Sequence, residues 1–424
     1  MNAPLALHLA RTHGTEPRTT GSARRRTGPP GAPRSSPVPA LFAAMFAAQA
    51  GLLALGPVLT DVAREFGVSV AAAGQLRTLG GLAGGAAAVA VALLGSRLGV
   101  RRVLVAGHLM LALGALASVA APNLAVLAAA QAAVGAAAGL LISGALAASA
   151  AWTEPGGRAR VLAVASLGQP MSWVAGMPLG GLLAELDWRY SLLAVPLAGS
   201  LAGTAALARL PLPAHSTPTG RPLRGLPAWA VPELFSYAAW GGVLLFAGAL
   251  LVESYSVSAG VTGLLLGAVA LAALPGNMLA RRWLAGHARE LLVVLGLAAA
   301  LLTALFGIFR PSPAASSAIL ALVVLVACTR TVAGSALALQ SAGERRLAAM
   351  GVRAATGQFG YLIGAAVGGV ALAAGGYELL TVSLAGLFVL GTVPHLTAIV
   401  SESRRRRPRD SSVFAPLSLD PDAA

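Results

Sequence analysis

The sequence has no lysine at all and a single cysteine, and charged residues make up only 11% of its 424 positions. Each scarcity excludes something. Charge at about half the share usual in soluble domains leaves too little to cover a water-facing surface, while 57% of the residues are hydrophobic. Without lysine there is no glycine-rich phosphate-binding loop ending in Lys, so a self-contained ATP-driven pump is excluded. Cys328 cannot form an intrachain disulfide and stands in an apolar run without metal-ligand spacing, so it reads as a small buried hydrophobe.

A net charge of +15 would suit nucleic acid, but the thirty arginines come in short bursts between apolar runs, and no soluble domain remains to present a basic face. The bursts fit membrane topology instead. Lipid and a small-molecule substrate are the expected partners.

Residues 1–37 are rich in Arg, Pro, Gly, Ser and Thr and cannot bury a core, so they are expected to form a disordered tail that is retained. From Val38 on, apolar runs of about 18–26 residues alternate with short polar breaks, and about 20 helical residues cross the hydrocarbon core. Twelve runs are predicted: Val38–Leu59, Val70–Leu94, Val103–Ala121, Leu124–Ala148, Val161–Leu183, Ser191–Ala208, Ala228–Val252, Val257–Leu279, Leu291–Phe309, Ala315–Gln340, Ala355–Ala374 and Leu379–Val400. They are numbered spans 1–12 below. Their length and Ala/Leu/Gly content mark helices, since barrel strands would be about ten residues with alternating polarity.

With both termini placed in the cytoplasm, the inner segments hold 25 of the 30 arginines and the outer loops hold Arg64, Arg189 and Arg310. An odd number of spans would break that alternation. The expected arrangement is an all-α integral membrane protein with six helices in residues 38–210, a linker at 211–227, six helices in 228–400 and a cytoplasmic tail at 401–424. Internal echoes support a duplication. Gly176-Met177-Pro178-Leu179-Gly180-Gly181 in span 5 is matched by Gly364-Ala365-Ala366-Val367-Gly368-Gly369 in span 11, and Arg101-Arg102 after span 2 by Arg281-Arg282 after span 8.

These features resemble the major facilitator superfamily, with its twelve-span drug:proton antiporters as the nearest branch. The resemblance covers about residues 38–400. The family's loop between spans 2 and 3 reads Gly-x-Leu-Ala-Asp-Arg-x-Gly-Arg-Arg. Arg97, Gly99, Arg101 and Arg102 match it, while its first Gly is Ala92 and its Asp is Ser96. In span 4 the antiporter Gly fits Gly135 and its Arg is Gln131; in span 5 the family's Pro is displaced by one position, to Pro178. Trp188-Arg189-Tyr190 resembles the family's usual start before span 6. The resemblance implies gating and packing roles for Arg97, Gly99, Arg101, Arg102, Gly176, Pro178, Gly180 and Gly181. It implies a cavity lined by spans 1, 2, 4, 5, 7, 8, 10 and 11, a bacterial cytoplasmic membrane, a monomer, and no cofactor beyond a proton gradient.

Ionisable side chains deep in a membrane cost several kcal/mol unless they face protein or water, which makes them functional candidates. Three qualify: Arg77 on span 2, Arg330 near the middle of span 10 and Glu233 early in span 7. Arg77 could instead snorkel to headgroups. Glu233, after Pro232, could simply favour a helix start or serve as the proton-coupling acid. Gln75, Gln131, Gln169, Trp173, Tyr237, Trp240, Gln358 and Tyr361 are candidate cavity-lining residues. His108 on span 3 reads as a hydrogen-bonded packing residue. Glycines four apart on spans 2, 4, 5 and 11 should let backbones approach closely, and Pro170 and Pro178 should bend span 5.

The leading expectation is proton-coupled efflux of a small amphipathic compound by alternating access. The alternatives are a facilitator or importer/exchanger of an organic anion, motivated by two deep arginines against one acid, and a non-transporting ligand sensor.

Overall fold

The computed structural model describes residues 36–154, 157–212, 225–283, 288–342 and 346–406. Most of the N-terminal tail, of the linker and of the C-terminal tail, and the side chains of Ser96, Arg281 and Arg282, lie outside the described residues. Those described are helical, with no strand among them.

Among the described residues, ten helices are long and apolar enough to cross a membrane. One of them, Ala348–Glu402, has 55 residues. At 1.5 Å per residue that is more than twice the hydrocarbon thickness, and it turns back at Gly375 and Gly376, where Gly376 adopts φ +66°, a value that favours glycine. It therefore supplies spans 11 and 12. Span 5 completes twelve crossings in pieces, Arg158–Ser166, Gly168–Met171, a π-helical turn at Ser172–Gly176 and Met177–Ala184. Pro170 and Pro178 flank that turn, so the expected bend is present and falls where Trp173 projects. Widened turns of this kind break the regular backbone ladder and are frequent at functional sites.

The glycine pairs act as spaced. A Cβ on Gly135 would lie 2.0 Å from the Gly80 carbonyl oxygen, and one on Gly139 2.2 Å from that of Gly84, so spans 2 and 4 touch backbone to backbone. Gly364 packs in the same way on Ala238 of span 7. The two halves meet along two seams. Spans 2 and 11 meet where Gly81 abuts the Leu362 backbone and Gly85 the Phe359 ring. Spans 5 and 8 meet where Gly181 faces Gly263 and Pro178 faces Gly267.

The loop between spans 2 and 3 serves packing: Arg101 donates to the Leu210 carbonyl at 3.1 Å, tying it to the end of span 6. Gly99 sits at φ +78° and Arg97 and Arg102 are exposed. Gly180 faces Ser191 and Gly176 faces Val195, both on span 6, so these two belong to the N-terminal half's own packing.

Candidate functional site

Two polar centres lie inside the bundle. The first lies between the halves. Arg77 of span 2 is 8% exposed and lies over the ring of Tyr361 of span 11, 4.9 Å from its centroid. Its burial and this contact exclude snorkelling. No acid pairs with it among the described residues. A small cavity here is lined by Gln49, Arg77, Gly241, Leu244 and Tyr361, residues from both halves. Gln169 donates to Gln49 Oε1 at 3.4 Å, which leaves Gln49 Nε2 buried and unpartnered. Trp173 and Trp240 face each other at 5.6 Å across the halves, and the Trp173 indole N–H is also buried without an acceptor. The donors at this centre are thus the Arg77 guanidinium and the Gln49 amide N–H₂, while the Trp173 indole lines a neighbouring cavity that shares Leu244. Gln358 Oε1 is an unpartnered acceptor against Gly84.

The second centre lies in the C-terminal half, toward the end that carries the Arg-rich loops. Glu233 is held between two arginines, accepting from Arg330 at 3.0 Å and from Arg353 at 2.5 Å. Gly334 makes the space, since a Cβ there would lie within 2.7 Å of both carboxylate oxygens. Arg353 also donates to the Thr331 carbonyl at 2.7 Å and lies over the Tyr237 ring at 5.3 Å. Tyr237 meets Tyr361 edge to face at 6.3 Å. A chain of contacts therefore runs from Arg77 through Tyr361, Tyr237 and Arg353 to Glu233 and Arg330.

The structure brings seven of the sequence candidates to these centres, Arg77, Gln169, Tyr361, Trp240, Tyr237, Glu233 and Arg330, and moves two away. Gln131 is buried and donates to Ser118 Oγ at 3.0 Å, which makes it part of the packing of span 4 on span 3. Gln75 bridges the seam to the Ala365 carbonyl at 3.3 Å and accepts from Thr78 at 2.8 Å, which makes it a closure residue. His108 is fully buried against Gly203 of span 6, as a packing residue, but neither ring nitrogen has a hydrogen-bond partner among the described residues, contrary to the expected bond.

Arg353 and Gln49 were missed. The span 11 boundary drawn at Ala355 put Arg353 in a loop, whereas the helix begins at Arg346, two turns earlier. Gln49 was visible as an amide in an otherwise apolar span 1.

At the Arg-poor end a vestibule of about 910 Å³ is lined by Thr60, Arg64, Ser69, Glu253, Ser256 and Tyr377. Between it and Arg77 the halves touch backbone to backbone, with a Cβ on Gly248 only 2.2 Å from the Gly56 carbonyl oxygen, and Gly74 set against Phe246. At the same end the carboxylate of Glu185, just past span 5, accepts from the Gly260 N–H at 2.6 Å on the first turn of span 8.

A family model described as Major Facilitator Superfamily matches the chain twice, over residues 41–251 and 233–421. No curated protein matches the sequence. Solved structures of similar fold include a D-xylose-proton symporter (TM-score 0.66, 14% identity, covering 85% of this chain and 95% of that one). The nucleoside transporter NupG has TM-score 0.64 and 13% identity, covering 85% and 98%. The human organic anion transporter TETRAN has TM-score 0.60 and 16% identity, covering 86% and 100%. At these identities the likeness concerns the fold.

Proposed function

The chain belongs to the Major Facilitator Superfamily, a transporter and not an enzyme, and from that premise we propose that it carries a small organic anion across the membrane by alternating access. One observation carries the reading. Arg77 is buried between the two halves with no acid paired to it among the described residues, and the unpartnered group that lines its cavity, Gln49 Nε2, is a donor. An uncompensated buried charge is costly. A carboxylate or similar anionic group would neutralise the guanidinium in two parallel hydrogen bonds, while the facing Trp173 and Trp240 and the aliphatic wall at Leu244 suit the apolar body of an amphipathic molecule.

Alternating access then has a physical basis. A substrate bound to Arg77 of one half touches Tyr361 and Gly241 of the other, so its binding energy depends on how the halves are set. The Gly56–Gly248, Gly74–Phe246 and Gln75–Ala365 contacts close the path toward the vestibule; opening that path means separating them.

Proton-coupled efflux, with Glu233 as the acid, needs a carboxylate able to take up and release a proton. Glu233 could do so only by giving up two ion pairs, which favours the anion reading over it. The test is counterflow in liposomes with panels of organic anions and cations, recording internal pH. Anion-specific uptake lost in Arg77→Gln supports the proposal; cation preference, or proton flux that vanishes in Glu233→Gln, refutes it.

A further inference from the structure

The C-terminal centre holds more positive charge than it neutralises. Arg330 and Arg353 share one carboxylate, and no second acid pairs with either guanidinium among the described residues. The other titratable groups close enough to act on the cluster are Tyr237, Cys328 and His395. A phenol, a thiol and an imidazole contribute no negative charge near neutral pH.

The two arginines fare differently. Arg353 uses its remaining donors on the Thr331 carbonyl and its face on Tyr237. Arg330 is 3% exposed, and its Nε and Nη2 have no acceptor among the described residues. Each unpaired buried donor costs about 1–3 kcal/mol, and more when charged, so a folded protein rarely leaves two on one side chain. Beside Arg330 lies a small cavity lined by Glu233, Ser236, Tyr237, Trp240, Arg330 and Phe388. It has the scale of a single ion and not of an organic substrate. Ser236 donates its proton to the Pro232 carbonyl, so it adds nothing to a lining whose charged groups are Arg330 and the Glu233 carboxylate.

We propose that this cavity is a second anion site, distinct from the one at Arg77, and that Arg330 holds there a small monovalent inorganic anion of the halide class. The anion accepts from the free edge of the guanidinium and brings the Arg330–Glu233–Arg353 group to neutrality. It is a resident counter-ion of the C-terminal half, and its argument is independent of what binds Arg77.

The experiment is thermal unfolding of the detergent-purified full chain, without organic substrate, in chloride, bromide and gluconate at matched ionic strength. Chloride and bromide should raise the midpoint over gluconate, saturably, by on the order of 2 °C or more. Two variants move the effect in opposite directions. Arg330→Gln leaves a one-to-one Glu233–Arg353 pair, so the protein should stay folded and lose its halide dependence. Glu233→Gln doubles the surplus charge and should lower the half-saturating chloride concentration, by about tenfold or more. If Glu233→Gln does not fold, the wild-type series and Arg330→Gln still decide. Equal wild-type midpoints in all three salts would mean that water alone satisfies Arg330 and would overturn the site. A halide shift that persists unchanged in Arg330→Gln would overturn it as well.

Discussion

The two halves of this bundle bury charge in opposite ways. The C-terminal half holds Glu233 within hydrogen-bond distance of both Arg330 and Arg353, whereas the N-terminal half holds Arg77 set against an aromatic ring of the other half. The first arrangement pairs both arginines with one acid of its own half and keeps one surplus positive charge there; the second has no acid among the described residues and waits for a partner from outside. Duplicated architecture has thus been given two jobs, one half holding a fixed electrostatic anchor and the other an open receptor. The Tyr237–Tyr361 contact joins them without an ion pair.

The sharpest way to break this contrast is to remove the anchor's acid. Glu233→Leu strands two guanidiniums in a space that Gly334 shaped for a carboxylate, and it should cost about 3–5 kcal/mol. The expected outcome is loss of most folded protein from the membrane, measured by fluorescence-detected size exclusion. Adding Arg330→Met and Arg353→Met to Glu233→Leu should recover most of that loss, because apolar replacement of a whole buried ion cluster is often neutral or stabilising. The receptor side should behave in reverse. Arg77→Gln should leave the folded yield near wild type and reduce anion transport by about 10–100-fold, the equivalent of one hydrogen bond to a charged group at about 1.5–3 kcal/mol. Failure to fold in Arg77→Gln would erase the distinction between the halves.

Glycines sharpen the comparison at a smaller scale. Gly135 meets Gly80 within one half, while Gly181 meets Ala259 and Gly263 across the halves. A methyl at Gly135 has nowhere to go in any conformation, so Gly135→Ala should lower thermal stability by about 1–3 kcal/mol. A methyl at Gly181 strains only the state in which the seam is closed. Gly181→Ala should therefore keep its stability and show slower transport, because the population of that state falls.

Much of this was legible in the sequence, for identifiable reasons. Twelve crossings follow from run length, which hydrocarbon thickness dictates without reference to neighbours. Arg77, Arg330 and Glu233 stood out because charge in such runs is rare. What each one meets was not legible, since Glu233, Arg330 and Arg353 are separated by 97 and 120 residues and are joined only by packing. Arg353 shows the limit of hydropathy: its helix starts two turns before the apolar run does, and an arginine there can still reach inward. Gln131 and Gln75 show the converse, because an amide on a cavity-type span can equally bond a neighbouring helix.

The smallest effect concerns the end opposite the anchor, where one charge does cross between the halves. Glu185 is solvent-exposed, and the Ser258 hydroxyl and the Gly260 N–H hold its carboxyl below the ordinary value of 4.5. A depressed acid contributes its stabilisation above the ordinary value and loses it as pH falls through the lowered one. At neutral pH the carboxylate therefore helps keep spans 5 and 8 together, also favoured by the positive end of the span 8 helix dipole. Glu185→Gln should make a cysteine substituted at Thr78, below the closure, label faster from the vestibule side at pH 7, by less than tenfold because exposed charges are screened. Native Cys328 is buried and adds little background. As the pH falls below 4.5 and through the lowered value, wild type should speed up toward the variant, whose own rate stays flat across the same range. Parallel pH profiles would assign the closure to the glycine seam alone and leave Glu185 as a cap on span 8.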